Sequence, residues 1–303
     1  GYMRWQLLIL TGILAAIYLL YVVACERQYL SWQALGLVGL TGALASLLMA
    51  PGLVPIVSDL TSERAVEDVA VVDVTDGRQE FLAWVMPQAQ HPLSHLYSQL
   101  FPRYGYSGTR EGYSAFLGHV ALVLMVIGAV SRRAGKQTWF WVGLAFLSAT
   151  LALGYYLRFN DVLHRGIPLP YKLVGEFLPF RLLRHPHRFN TLLALPVAVL
   201  SGFGAVQAKE WLTQKRWGRG LGRTAVFTSV LGMLVLADYV SAPTATVSAD
   251  IPDYYRILGE EPGTFAVVAL PNDRDRTERH MYYQTAHRRP LLGGHVSRLP
   301  PEA

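Results

Sequence analysis

Five cations fall between positions 181 and 188: Arg181, Arg184, His185, His187 and Arg188. Guanidinium and imidazolium groups at this density suit an anion. Phosphate fits best, because one arginine fork matches two of its oxygens. Lys172 precedes them on Tyr171–Leu183, where Phe177, Phe180 and Leu183 oppose Lys172 and Arg181, a pattern suited to the plane of a membrane interface. Pro179 and Pro186 flank the cations and interrupt any helix through them. A helix beginning near Pro186 would bring its free N–H groups and positive dipole end beside the arginines, reinforcing the same anion site. The competing use of such arginines is to reach ordinary lipid headgroups.

Three further residues are placed by the sequence at the same membrane face. Glu111 precedes an apolar run, His119 sits one to two turns inside that run, and Asp238 lies near the end of a later one. Ionisable residues within apolar spans usually face the bundle interior and mark a site. A carboxylate and a histidine there suit general-base work, with Glu111 the weak candidate for a catalytic base and His119 and Asp238 in support. Pairing with the arginines is the structural alternative for each.

Metal-ligand patterns are weak. Asp273 and Asp275, Asp73 and Asp76, and His91 and His95 have usable spacing, but Pro92 lies between the two histidines and the acidic pairs fall in charged surface segments. No metal site or cofactor is evident. The P-loop, zinc-protease and nucleophile-elbow signatures are absent from the sequence. Cys25 stands alone, so an internal disulfide and multi-cysteine metal sites are excluded.

The elements that must hold these residues are apolar and long. Of the 303 residues, 52% are hydrophobic and only 16% charged, against about 25% charged in soluble domains. The apolar residues come in blocks, which predicts a mainly α, polytopic transmembrane helix bundle of about six spans, near 5–24, 34–50, 114–130, 138–157, 188–208 and 224–240. The net charge of +6 then reads as loop anchoring, and no nucleic-acid partner is expected. The loops after spans one, three and five carry Arg27, Arg132, Arg133, Lys136, Lys209, Lys215, Arg216, Arg219 and Arg223, which predicts that they are cytoplasmic. Loops 51–113 and 158–187 then lie outside, together with a polar segment, 244–303. The basic 158–187 loop breaks the positive-inside bias, which favours a function for its cations.

Smaller elements are expected around these spans. Val69–Val74 reads as a strand, Phe81–Met86 as an interfacial segment, Phe265–Leu270 as a buried strand and Glu278–His287 as a short helix. The last two predict an extracytoplasmic α/β portion in segment 244–303, incomplete by itself. The first run lacks a cleavage pattern. Gly1 and Tyr2 precede Met3, and Leu-Pro-Pro-Glu-Ala ends the sequence without a closing element, so a longer parent chain is expected.

The segment LPYKLVGEFLPFRLLRHPHRFN, leading into an Ala/Leu/Val/Gly-rich span, resembles the later half of a group of large bacterial membrane proteins similar to GT-C glycosyltransferases. FAVVALP, RHMYYQTAHRRPLLGGHVSR, EFLAWVMPQAQHPL and EGYSAFLGHVAL extend the resemblance over most of the chain. It implies an enzyme of the bacterial inner membrane that moves a sugar from a polyprenyl-phosphate donor on the extracytoplasmic side. Arg184, Arg188 and Lys172 would hold the phosphate, assisted by Arg181, His185 and His187, with membrane lipid as the other partner. In GT-C enzymes the catalytic acidic motif sits in the first extracytoplasmic loop, so the resemblance implies that this motif and any divalent metal ligands lie outside this chain. The alternative function is a non-catalytic membrane scaffold or anionic-lipid-binding protein.

Overall fold

The computed structural model describes residues 5–26, 31–61, 79–87, 90–101, 115–131, 135–160, 162–175, 177, 180, 186–214, 221–240, 248–268, 270 and 274–292. The chain is mainly helical and divides into two units, 1–244 and 245–303.

The first unit contains α1 (Trp5–Cys25), α2 (Trp32–Thr61), a 3-10 turn at Phe81–Trp84, α3 (Ser94–Leu100), α4 (His119–Ala129) and α5 (Lys136–Ala152). A hairpin follows, β1 (Tyr156–Phe159) and β2 (Val162–Pro168), paired Phe159 to Val162 and Leu157 to His164. Asn160 turns it with φ of 48°, a conformation asparagine tolerates better than most residues. Then come α6 (Tyr171–Val174), a 3-10 turn at Pro186–Arg188, α7 (Phe189–Gln214) and α8 (Leu221–Asp238).

α7 is the central element, packed on both α4 and α5. α4 runs parallel to it. Ser201 Oγ donates to the Ala121 carbonyl at 2.8 Å, and further along both helices Ser131 Oγ donates to Gln207 Oε1 at 2.7 Å. α5 runs the other way, because Gly154 at its end abuts Pro186 at the start of α7. Gly128 and Gly204 allow the α4–α7 crossing: a Cβ on either would overlap the facing helix backbone, at Leu200 O and Leu124 O. The core joins Leu10, Trp84, Leu151, Leu153, Tyr171, Phe189, Leu192, Leu193 and Val197.

Several boundaries differ from expectation. The second apolar run continues as helix to Thr61, through Pro51 and Pro55, beyond the expected end of the span near position 50. A proline removes one helical hydrogen bond without always ending the helix. α4 starts at His119 rather than at position 114, because Gly118 adopts φ of +83° and ends the extended approach. His119 therefore opens its helix and is not inside it. α5 stops at Ala152, and the strand Tyr156–Phe159 occupies the end of the fourth expected span. α7 runs on to Gln214, so Lys209 is helical. In Phe81–Met86, Leu82, Ala83, Trp84 and Met86 are buried while Phe81 is exposed.

Within the described residues one helical stretch, Pro186–Leu212, is long and apolar enough to cross a membrane; Ile9–Cys25, Trp32–Leu48, His119–Ala129 and Thr224–Asp238 are shorter apolar helices. The second unit has α9 (Asp253–Glu260), a helix the sequence reading missed, and α10 (Arg274–His287). The expected strand at 265–270 forms only the parallel bridge Val267–Leu291 among the described residues. The expected strand at 69–74 lies outside them.

Candidate functional site

α8 ends at Asp238 and α4 begins at His119, and the two helix ends meet. His119 Nδ1 lies 2.7 Å from Asp238 Oδ1, and the Val120 backbone N–H donates to Asp238 Oδ2 at 2.9 Å. The first turn of any helix carries unsatisfied N–H groups. α4 has glycine at its N-cap and no local side-chain cap. Asp238 supplies that cap from another helix, and its negative charge suits the positive end of α4. Gly118 is required for this approach: its φ of +83° disfavours side chains, and a Cβ there would stand 2.9 Å from Tyr239 Oη and 3.2 Å from Asp238 Oδ2.

The arrangement continues outward. An ionised carboxylate only accepts, so Nδ1 of His119 carries the proton. Its Nε2 then accepts from Tyr97 Oη at 2.6 Å, with the phenol and imidazole rings nearly parallel. Burial and the Asp238 charge push the Tyr97 phenol above its ordinary value, which keeps it a donor. Tyr97, His119 and Asp238 thus form a phenol–imidazole–carboxylate chain, the order of groups that general-base catalysis uses.

His91 braces the chain from below. It is buried, its Nδ1 accepts from Leu93 N–H at 3.1 Å, and its Nε2 donates to the Asp238 backbone carbonyl at 3.1 Å. Phe116 packs edge-on to His119, and Tyr239 donates to the Leu117 carbonyl at 2.6 Å.

Trp84 ties this chain to the start of α7. Its backbone carbonyl accepts from Leu117 N–H at 3.1 Å, two residues before His119. Its indole N–H donates to Asn190 Oδ1 at 2.8 Å, two residues after Arg188. Asn190 in turn donates to Gln79 Oε1 at 3.0 Å, beside the buried carboxylate residue Glu80.

The sequence-predicted residues distribute as follows. His187 and Arg188 occupy the half-buried turn that leads into α7. Lys172 lies with its ammonium 5.4 Å over the Tyr156 ring, a cation–π contact that a bound anion would have to share. Arg181, Arg184, His185 and Glu111 lie outside the described residues. His119 and Asp238 come together with each other, which the reading of each as an arginine partner did not foresee. His91 and His95 do not converge: both ring nitrogens of His91 are engaged, and His95 meets Gln99 at 3.0 Å. Asp73, Asp76 and Asp273 also lie outside the described residues. Among those described, no group of three or more His, Cys, Asp and Glu is placed to hold a metal ion.

Sequence reasoning missed Tyr97, Trp84 and Glu80 as site residues, and weighed His91 only as a weak metal-ligand partner of His95, not as a brace on Asp238. The available signal was modest: a buried-type Trp in EFLAWVM beside a glutamate, and two histidines in a loop without a helical pattern.

No protein-family model, no curated protein and no solved structure matches this chain.

Proposed function

We propose that this chain is part of an integral membrane glycosyltransferase of the GT-C type, moving a sugar from a polyprenyl-phosphate donor to an extracytoplasmic acceptor. The observation that carries the reading is the Trp84 link, which joins the Tyr97–His119–Asp238 chain to the cationic entry of α7. Glycosyl transfer from a lipid phosphate requires those two parts side by side: a base for the acceptor hydroxyl and cations for the departing phosphate.

The chemistry follows from the groups. The acceptor oxygen attacks the anomeric carbon, and the bond from that carbon to the phosphate oxygen breaks with its electron pair going to phosphate. The acceptor proton passes to Tyr97 Oη as Tyr97 gives its own to His119 Nε2. Asp238 stabilises the resulting imidazolium. Arg188, with Arg184, Lys172, Arg181, His185 and His187, meets the charge that develops on phosphate.

Membrane placement in about six spans, in the bacterial inner membrane, belongs to the same proposal. It is supported by the span-length stretch Pro186–Leu212, by the four shorter apolar helices, and by outward-facing side chains such as Leu20, Leu48 and Leu236. The parallel run of α4 and α7, opposed to α5, agrees with spans three and five crossing in one direction and span four in the other.

A second reading, a non-catalytic scaffold that binds anionic lipid, is favoured by one observation: the hydrogen bonds of His119 and Asp238 close on each other, on Tyr97 and on the Val120 N–H, as a structural clasp would. One measurement separates the two. The full-length protein is reconstituted with polyprenyl-phosphate sugars, and transfer is followed in wild type, His119→Asn, and Arg184→Ala with Arg188→Ala. The glycosyltransferase reading expects transfer in wild type and its loss in both variants. Absence of transfer with every such donor, from a folded protein, favours the scaffold.

A further inference from the structure

Two small elements gather at one end of the first unit. Tyr97 on α3 meets His119, the first residue of α4. Gly154, just before β1, abuts Pro186 at the start of α7. α4 and α7 run parallel, so α3 and the β1–β2 hairpin share the end at which the span-length stretch Pro186–Leu212 begins. The two elements also touch. Phe101, the C-cap of α3, packs edge-on to Phe159 beside the hairpin turn, with ring centres 6.5 Å apart.

The polarity of α3 is the reverse of a water-facing helix, which turns its apolar side chains inward. In α3 the half-buried side chains are Ser94, Tyr97 and Ser98, and Tyr97 donates its hydroxyl to His119. Leu93, Leu96 and Leu100 recur at intervals of three and four, so they share one face. That face is exposed, Leu96 at 53% and Leu100 at 62%. His95 and Gln99, one turn apart and 3.0 Å from each other, occupy the exposed arc beside it. The outer surface of α3 is thus leucine along one side and polar along the other, which suits a helix lying at a boundary between hydrocarbon and water. The hairpin and α6 continue the pattern. Val162, Ile167 and Leu173 are exposed, and the exposed cations His164, Arg165 and Lys172 are interspersed among them. Residues 156–188 carry six Lys and Arg against two acids, and residues 90–101 carry no acid.

We propose that α3, the hairpin and α6 rest on an anionic lipid surface, with Leu96, Leu100 and Leu173 in the acyl boundary and Arg165 and Lys172, the latter over the Tyr156 ring, at the headgroup phosphates. This surface rests on the membrane placement proposed above and extends it to elements too short to span. Charge selects the occupant. A second copy on this face would set the same cations against one another, whereas each Lys or Arg near an anionic leaflet is attracted to it. Position agrees, because the surface lies at the start of the one described stretch long and apolar enough to cross a bilayer. Tyr239, exposed at the same end and bonded to the Leu117 carbonyl, is an aromatic of the kind that anchors at headgroup level. Lipid under the leucine face would hold α3 in place, and with it Tyr97 against His119.

The test places single cysteines in the full-length protein after Cys25→Ser: Leu96→Cys, Leu100→Cys, Leu173→Cys, Gln99→Cys and, at an exposed position on α4, Val123→Cys. Each carries a nitroxide in vesicles of phosphatidylcholine and phosphatidylglycerol. Electron paramagnetic resonance compares collisions with oxygen, which concentrates in hydrocarbon, against those with a water-soluble nickel chelate. The label at 123 reports whether the bundle is inserted. Labels at 96, 100 and 173 are expected to favour oxygen, and the label at 99, on the same helix, to favour nickel. Arg165→Gln with Lys172→Gln is expected to weaken retention of phosphatidylglycerol over phosphatidylcholine, counted by native mass spectrometry, about fivefold per cation. Nickel access at 96, 100 and 173 equal to that at 99, with the label at 123 in hydrocarbon, overturns the proposal and leaves the membrane placement standing. Undiminished retention in the double variant overturns it too. Low access to both reagents, with dipolar broadening at 96, overturns it in favour of a second copy. Nickel access at 123 removes the membrane placement and the proposal together. None of these readouts uses sugar transfer, so failure of the glycosyltransferase reading is seen separately.

Discussion

His119 Nδ1 and Asp238 Oδ1 meet at 2.7 Å although 119 residues separate them in sequence. The contact closes one helix end onto another, because the same carboxylate also accepts the Val120 N–H. Asp238 is buried and His119 partly so. Removing the carboxylate leaves an imidazole N–H and a backbone N–H without acceptors in a confined space. Asp238→Ala is therefore expected to lower stability by about 1.5–3 kcal/mol. His119→Asn keeps a donor near the Nδ1 position and is expected to cost under about 1 kcal/mol. Chemical denaturation of the solubilised proteins checks the contrast, and hydrogen exchange should show the loss concentrated in residues 119–129.

Tyr97 separates a catalytic chain from a structural one. Tyr97→Phe removes a single hydroxyl and is expected to cost about 0.5–1.5 kcal/mol of stability. In the transfer reaction it removes the proton path to His119, and a fall in kcat of about 10²–10⁴-fold is expected with little change in KM. The phenol also predicts an alkaline limit. Its folded-state pKa lies above the ordinary value of 10.0, through burial first and then Asp238. Below about pH 10 both folded and unfolded phenols are protonated and its contribution is fully present. Above that the unfolded phenol ionises first, so the contribution declines as pH rises through the folded-state pKa. Tyr97→Phe should flatten that alkaline decline in unfolding midpoints.

What the sequence made legible follows from range. Apolar blocks identified α1, α4, α5, α7 and α8, because helix formation over such runs is a local property. His119 and Asp238 stood out because ionisable residues in or beside apolar runs are costly to bury. Their pairing did not, since it depends on which helix ends meet. Tyr97 carried no local signal, and His91 only the spacing of a weak metal-ligand pair: their bonds to His119 and to Asp238 span 22 and 147 residues. The end of α2 lay beyond the expected 50, because a helix can run on through Pro51 and Pro55 past its most apolar stretch. Gly118 set the start of α4 through a positive φ that composition does not encode.

The α4–α7 crossing offers a prediction with internal controls. Gly128→Ala and Gly204→Ala each insert a methyl into the backbone of the facing helix, and each is expected to destabilise by about 1–3 kcal/mol. Gly143 and Gly202 lie on helices with nothing within 4 Å of an added Cβ. Gly143→Ala and Gly202→Ala should be neutral or stabilising by up to about 1 kcal/mol, from helix propensity alone. Unfolding midpoints of the four variants, measured side by side, test whether close backbone approach governs this contact.

His287 gives the second unit its own pH dependence, of opposite sign to that of Tyr97. The ring is 2% exposed, stacks on Tyr255, and accepts the Arg289 N–H at Nδ1 over 3.1 Å. The proton therefore resides on Nε2, which has no hydrogen-bond partner among the described residues. Arg289 extends the same joint, its guanidinium donating to the carbonyls of Gly259 in the last turn of α9 and of Glu261 and Gly263 just after it, and stacking on Phe265. Burial, and then the Arg289 charge, lower the His287 pKa below its ordinary 6.5. Protonation would also turn Nδ1 from acceptor to donor and set it against the Arg289 N–H. The unfolded histidine binds a proton first, so the contribution is full above about pH 6.5 and is lost as pH falls through the folded-state pKa. Amide exchange across 253–287 should accelerate between about pH 7.5 and about pH 5 beyond the intrinsic rate change. His287→Phe keeps the stacked ring and should abolish that excess. His280→Asn, at a half-buried histidine 3.4 Å from Tyr255 Oη, should leave it in place.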